Sequence, residues 1–200
     1  MSTHDRLAYL RTSKANPCTR CALHKRGAQK VFQAGNPDAA ITLIGSAPDI
    51  HDEAAGEPFA GSVGQLLEDM LARVGLTRDS VYLIHTVKCR PKHTPTPAEV
   101  SACAPFLHMQ LAISRPRVVV ALGEAAGRVL AQQGLSASIH FLRRHNWMYS
   151  NRTTGIEVPL LVSHHPADVL HAMKNKQRAK NIALETIADL NKAIKIAEGI

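Results

Sequence analysis

Short apolar runs rich in β-branched residues recur at 40–44, 81–84, Val118–Leu122 and 160–162, each bounded by turn or cap residues, and they read as strands. Helical spacing fills the intervals at 64–74, at Pro97–Ser114, where Thr96 stands as cap with Glu99 at the box position, and at 124–133. The resulting βαβαβα order predicts the α/β class. A three-layer sandwich follows, with a central, mostly parallel four-stranded sheet, helices on both faces, and ligands at the carboxyl ends of the strands. After His165-Pro166 the apolar positions Val169, Leu170 and Met173 lead into a basic stretch, 174–180. A long amphipathic pattern then ends near Ala197 and predicts a docked C-terminal helix. No internal repeat or convincing linker interrupts the chain, although 91–97 is a rigid proline-rich loop, so residues 1–200 are expected to form one domain.

At 45% hydrophobic, 200 residues are enough to bury a real core. There is no apolar run of eighteen residues and no apolar segment near the start of the chain, so a cytoplasmic protein that does not enter a membrane is expected. In that reducing compartment an even count of four cysteines argues for metal or catalysis before disulfides. Lys and Arg number 24 against 16 Asp and Glu, a balance that admits a polyanionic partner without requiring one.

Cys18-Thr19-Arg20-Cys21 is a C-x2-C knuckle, and Cys89 and Cys103 flank the loop and helix start after the second strand. Four thiolates suit either a tetrahedral zinc or a four-iron cluster, and residue types alone do not choose between them. Either group would staple the N-terminal segment onto the sheet. It would also order the adjoining basic loop of Lys88, Arg90, Lys92 and His93, which could touch phosphates.

The loops after the strands carry further chemistry. Gly45-Ser46-Ala47-Pro48 is followed by the acidic turn Asp49-Ile50-His51-Asp52-Glu53 and by Gly56-Glu57-Pro58-Phe59-Ala60-Gly61-Ser62. After the second strand comes His85-Thr86-Val87-Lys88-Cys89-Arg90-Pro91, and after the fourth Ser163-His164-His165-Pro166. Together these segments resemble the uracil-DNA glycosylase superfamily, in particular its iron-sulfur members of families 4 and 5, over most of the chain.

The resemblance implies a base-excision enzyme that hydrolyses the N-glycosidic bond of uracil or another deaminated base flipped out of DNA, working as a monomer. It favours a [4Fe-4S] cluster on Cys18, Cys21, Cys89 and Cys103. It makes Phe59, which on a sheet loop would otherwise read as core, a stacking platform for the base. His165 becomes the donor to charge developing on the departing base, with Pro166 opening a helix behind it. Asp52, and after it Asp49, become the carboxylates that would handle the attacking water. Ser46, Ala47, His51, Phe59 and His85 are the implied base pocket. Gly61, Ser62, Arg90, Lys92, Arg143, Arg144 and His164 are the implied DNA contacts.

The chain also departs from the family pattern. Ser46 stands where family 4 carries Glu, Asp49 where it carries Gly, and His85 where Asn is common. His51 is similar to the His of the family 5 turn, yet Ser62 lies where that family has a catalytic Asp. These departures leave the excised base open. They also leave the alternative of a module that recognises a damaged or modified base without efficient cleavage, and beyond it a redox or metal-structural protein.

Overall fold

The computed structural model describes residues 1–26, 29–134 and 136–200. Four parallel strands form the centre of the sheet: β2 (Ile41–Gly45), β3 (Tyr82–His85), β4 (Val118–Leu122) and β6 (Ile156–Ser163). Two antiparallel strands extend the edges, β1 (Ala34–Gly35) beside β3 and β5 (Trp147–Asn151) beside β6, giving the order β1-β3-β2-β4-β6-β5. The sheet therefore has six strands where four are expected from the sequence.

Both additions have a local reason to be inconspicuous. β1 is two residues long, and β5 buries only Tyr149. The first half of β6 carries Pro159, which pairs with Met148 of β5, whereas β4 takes up pairing only from Leu160. A proline is tolerated on that stretch because no neighbour on the β4 side needs its missing N–H. The same proline hides the extension from a pattern search.

Alternation along the strands sorts the core into two layers. Ile44, Ile84, Val119, Ala121 and Val162 face one side, which is covered by α1 (Thr3–Leu10), α4 (Pro97–Ser114) and α5 (Glu124–Leu130). Leu43, Leu83, Val118, Val120 and Leu161 face the other, covered by α3 (Gly61–Ala72) and α8 (Lys176–Glu198). Every residue of β2, β3 and β4 is buried, the expected pattern for parallel strands between two helical layers. Three short helices, α2 (Ile50–Ala55), α6 (Ile139–Arg144) and α7 (Pro166–His171), sit in the connecting segments.

Helix α4 begins as its sequence indicates. Thr96 accepts from the Glu99 N–H, and the Glu99 carboxylate accepts from the Thr96 N–H at 2.8 Å, satisfying two donors that a helix start leaves orphaned. α8 is tied to the sheet by one carboxylate. Asp189 accepts from Ser163 Oγ at 2.7 Å and from Arg143 Nε at 3.0 Å, which fixes α8 beside the end of β6. Among the described residues no helix is long and apolar enough to cross a membrane.

Candidate active site and cysteine centre

The parallel strands bring their carboxyl ends to one edge, and the segments that follow β2, β3, β4 and β6 meet there. Gly45 closes β2, where a Cβ would lie 2.5 Å from His85 Nδ1 and 2.8 Å from Phe59 Cζ. Only glycine leaves that gap.

The turn after β2, read as acidic loop, is helix α2. Asp49 caps it, with Oδ1 accepting from the N–H groups of His51 at 2.8 Å and Asp52 at 2.9 Å, while Asp52 returns the capping-box bond to the Asp49 N–H. Asp49 Oδ2 makes no hydrogen bond among the described residues. Both oxygens of Asp52 are engaged: Oδ1 takes the Ala60 N–H at 2.7 Å, and Oδ2 lies 2.9 Å from His85 Nε2.

Asp52 and His85 are 4% and 2% exposed, so their charge state is set by a dry interior. Burial opposes the Asp52 anion, but the bonds from His85, Ala60 and Asp49 outweigh it and hold the carboxyl below its ordinary range. Burial lowers His85 despite the adjoining carboxylate. The pair is thus a carboxylate accepting from a neutral imidazole. Nδ1 of His85 is buried and has no hydrogen-bond partner among the described residues.

Phe59 lies beside this ring, centroid to centroid 4.8 Å, and 5.9 Å from that of His165. Its φ of 56° is a left-handed conformation that costs a residue with a side chain about 1 kcal/mol or more. Arg78 offsets it, donating through Nη1 to the Phe59 carbonyl at 3.1 Å and through Nη2 to the Pro58 carbonyl at 2.7 Å. Nothing in the local sequence marks Arg78 for this task, since it lies nineteen residues from Phe59.

His165 ends the crossing from β6 and caps α7. Its Nδ1 accepts the Ala167 N–H at 3.2 Å, and its own N–H is received by Asp168 at 3.0 Å. A ring nitrogen that accepts carries no proton, so the neutral ring has its hydrogen on Nε2. Burial, and then the neighbouring His85, push His165 down to about 4, so the neutral form prevails at pH 7.

An open crevice of about 840 Å³ passes over His165, walled by Ser46, Gly123, His140, His164 and Arg178. His165, Phe59 and Asp49, the last with one carboxylate oxygen free of hydrogen bonds among the described residues, thus lie together at the carboxyl edge of the sheet. The family model of the uracil DNA glycosylase superfamily matches residues 32–188. The chain belongs to that superfamily.

Relatives with assigned names agree. The chain is 36% identical to the type-4 uracil-DNA glycosylase of Pyrobaculum aerophilum over 155 residues, 76% of this chain and 79% of the relative. It is 33% identical to the type-4 uracil-DNA glycosylase of Thermotoga maritima over 199 residues, 98% of both, which takes in the N-terminal cysteines. Against the type-5 uracil-DNA glycosylase of Thermus thermophilus the identity is 37% over 126 residues, 54% of this chain and 58% of the relative.

Within this glycosylase-superfamily frame the expected DNA contacts divide by environment. Gly61, Ser62, Lys92 and Arg144 are exposed. Arg90 is held by Glu53 at 2.6 Å. Arg143, at the crevice, is paired with Asp189 and Glu185 and contacts His164, which itself lies 2.8 Å from Glu185. It sits in helix α6, just before strand β5. Lys88, read from sequence as a possible phosphate contact, is 1% exposed and donates through Nζ to the His85 carbonyl at 2.6 Å. Of the remaining pocket residues, Ser46 and Ala47 are half-buried and His51 is exposed, its ring packed over Gly61.

The four cysteines line one small cavity, together with Lys88 and Phe106. Burial, and then Cys103, push the Cys89 thiol up to about 11; burial also raises Cys103, against the opposing charge of Lys88. Two neighbouring thiols that resist ionisation, in a cavity shared by all four cysteines, would be stabilised as ligands by a cation. Among the described residues no three His, Cys, Asp or Glu side chains converge on one ion position.

Because His165 is lowered from 6.5 to about 4, the fold favours its neutral form. That contribution is complete above pH 6.5 and is lost as pH falls towards 4, where the loss amounts to roughly 3 kcal/mol. His85, lowered by the same cause, acts with the same sign. Urea midpoints at pH 7 and pH 4.5 should therefore differ less in His165→Asn than in the parent, and an unchanged difference would contradict the buried neutral ring.

Proposed function

We propose that this protein is a DNA glycosylase that hydrolyses the N-glycosidic bond of uracil, or of another deaminated base, flipped from DNA. The observation that carries this reading is the tautomer of His165: with Nδ1 occupied by the Ala167 N–H, Nε2–H is left to donate at the strand ends beside Phe59. As the C1′–N bond breaks, its electron pair leaves with the base, and charge collects on a base oxygen that this donor stabilises. A neutral donor suits the task because it stabilises the anion without surrendering its proton. The oxygen of a water molecule bonds to C1′, and one of its protons passes to a carboxylate.

Asp49 takes that role with its spare Oδ2, and its charge also offsets the cation developing on the sugar. This changes the preference drawn from sequence, because Asp52 has both oxygens occupied. The proposed backbone contacts are the exposed Gly61, Ser62, Lys92 and Arg144, with Arg178 at the crevice. Arg90 is tied to helix α2 through Glu53, Arg143 ties α6 to α8 through Asp189 and Glu185, and His164 joins the second of these networks.

The cysteines are proposed to hold a [4Fe-4S] cluster. The resemblance to the iron-sulfur members of the superfamily favours the cluster over a tetrahedral zinc, and the four cysteines share one small cavity that either group would staple together. The group supplies a structural staple between the N-terminal segment and the loop after β3. Lys88 then links that staple to the pocket, its N–H on Cys103 Sγ at 3.3 Å and its Nζ on the His85 carbonyl.

Labelled single- and double-stranded oligonucleotides carrying uracil, hypoxanthine or xanthine, treated with alkali after incubation, should reveal abasic sites. His165→Ala should keep DNA affinity while single-turnover excision falls about 100- to 1000-fold. Binding without excision by the parent supports the recognition module instead, and excision by His165→Ala at the parental rate removes the ring from the mechanism.

Purified protein should be brown and contain about four irons per chain. Cys89→Ser should lose colour and thermal stability together. A colourless zinc protein contradicts the cluster.

A further inference from the structure

Of the four phenylalanines, Phe32, Phe59 and Phe106 are buried, while Phe141 in helix α6 is 41% exposed. It does not stand alone. Its ring centroid lies 4.3 Å from that of His145 and 6.0 Å from that of Trp147, and the last two are 5.5 Å apart. Single exposed apolar side chains are ordinary on a protein surface. Phe, Trp and Tyr make up only 4% of this chain, however, so two of them gathered with an imidazole at one exposed place call for a partner.

The cluster is built before any ligand arrives. Ser138 Oγ accepts the Phe141 N–H at 3.2 Å, His145 donates through Nδ1 to the Phe141 carbonyl at 2.7 Å, and Trp147 donates through Nε1 to the Leu142 carbonyl at 2.8 Å. Rings held in this way lose little freedom when a flat partner is laid on them.

The surroundings are basic. No Asp or Glu occurs from Ala125 to Ile156, whereas His140, Arg144 and His145 are exposed beside the rings. Arg143 is neutralised by Asp189 and Glu185, but Arg144 makes no ion pair among the described residues. Lys192 of α8 is brought to the same place, donating to Asn146 Oδ1 at 3.0 Å. The same short helix contributes Ile139, His140 and Arg143 to the crevice over His165, so the cluster adjoins the rim of that crevice.

We infer that Phe141, His145 and Trp147 form a stacking platform for an unpaired base of single-stranded DNA, on the strand that leaves the crevice past α6. Flat rings accompanied by cations only, on a surface continuous with the crevice, match a nucleic acid better than a protein partner: phosphates meet Arg144 and Lys192 while a base face meets the rings. Stacking needs a base whose face is free. A duplex hides its base faces, so the platform selects single strands. The inference takes from the glycosylase reading only that the crevice holds DNA, and no cleavage enters it.

Trp147 is the only tryptophan of the chain, so its emission reports on this surface. Titrating the holoprotein with undamaged oligothymidylate should quench that emission, and a duplex of the same length should quench it far less. Phe141→Ala should weaken single-strand binding about tenfold, and Phe141→Leu, apolar but without a π face, should weaken it as much. Phe141→Tyr should stay within about threefold of the parent. Because no charge is removed, the slope of log affinity against log salt should not change. A parental single-strand affinity in Phe141→Ala or Phe141→Leu, or an equal loss for the duplex, overturns the inference. Self-association of the parent that Phe141→Ala abolishes without altering DNA affinity also overturns it, and assigns the rings to a second copy of the chain. If the parent binds and is quenched as described yet releases no deaminated base, the glycosylase proposal fails and the platform stands.

Discussion

The site depends on holding two imidazoles neutral. In water each ring would sit close to its titration point near neutral pH; beside one another at the strand ends, with Phe59 packed against both, they are neutral and fixed in tautomer. Burial alone would leave the ring orientation undetermined. A backbone N–H sets His165, and a carboxylate sets His85, so both rings carry their hydrogen on Nε2. The parallel sheet makes this possible because its strands end in register: Gly45 pairs with His85, and Leu122 with Ser163 just before His165.

That arrangement depends in turn on a strained loop. Phe59 reaches its place only with a left-handed backbone, and Gly64 must lack a side chain because a Cβ there would lie 1.8 Å from the Phe59 carbonyl oxygen. The Arg78 clamp and the Asp52 bond to Ala60 hold the loop on either side of the ring. Asp52 therefore serves helix α2, the Phe59 loop and His85 at once, which is a reason for a buried carboxylate to persist in an otherwise apolar setting. The cysteine centre braces the same region through Lys88, whose ammonium is buried against the His85 carbonyl.

Legibility in the sequence follows the range of the interaction. The parallel strands could be read because they are continuous apolar runs, and α4 because Thr96 and Glu99 form their capping box within one turn. His165-Pro166 was legible for the same reason, with Asp168 three residues on. Helix α2 escaped notice because its cap and box residues, Asp49 and Asp52, look like an acidic loop when the bonds between them are unseen. The roles that needed tertiary structure were invisible: Asp52 meets His85 across thirty-three residues, and Arg143, which the resemblance marks as a DNA contact, is neutralised by carboxylates from α8 more than forty residues away. Basic residues were counted in the sequence, but their partners could be counted only in the fold.

The account turns on His165 acting as a neutral donor, and the pH dependence of single-turnover excision tests that most directly. With the ring held down to about 4, the His165-dependent part of the rate should stay level as the pH rises from about 5.5 to 8. A rate that falls as pH rises through 6.5, and loses that fall in His165→Ala, would mean that the charged ring is the active form and that the buried neutral donor is the wrong description.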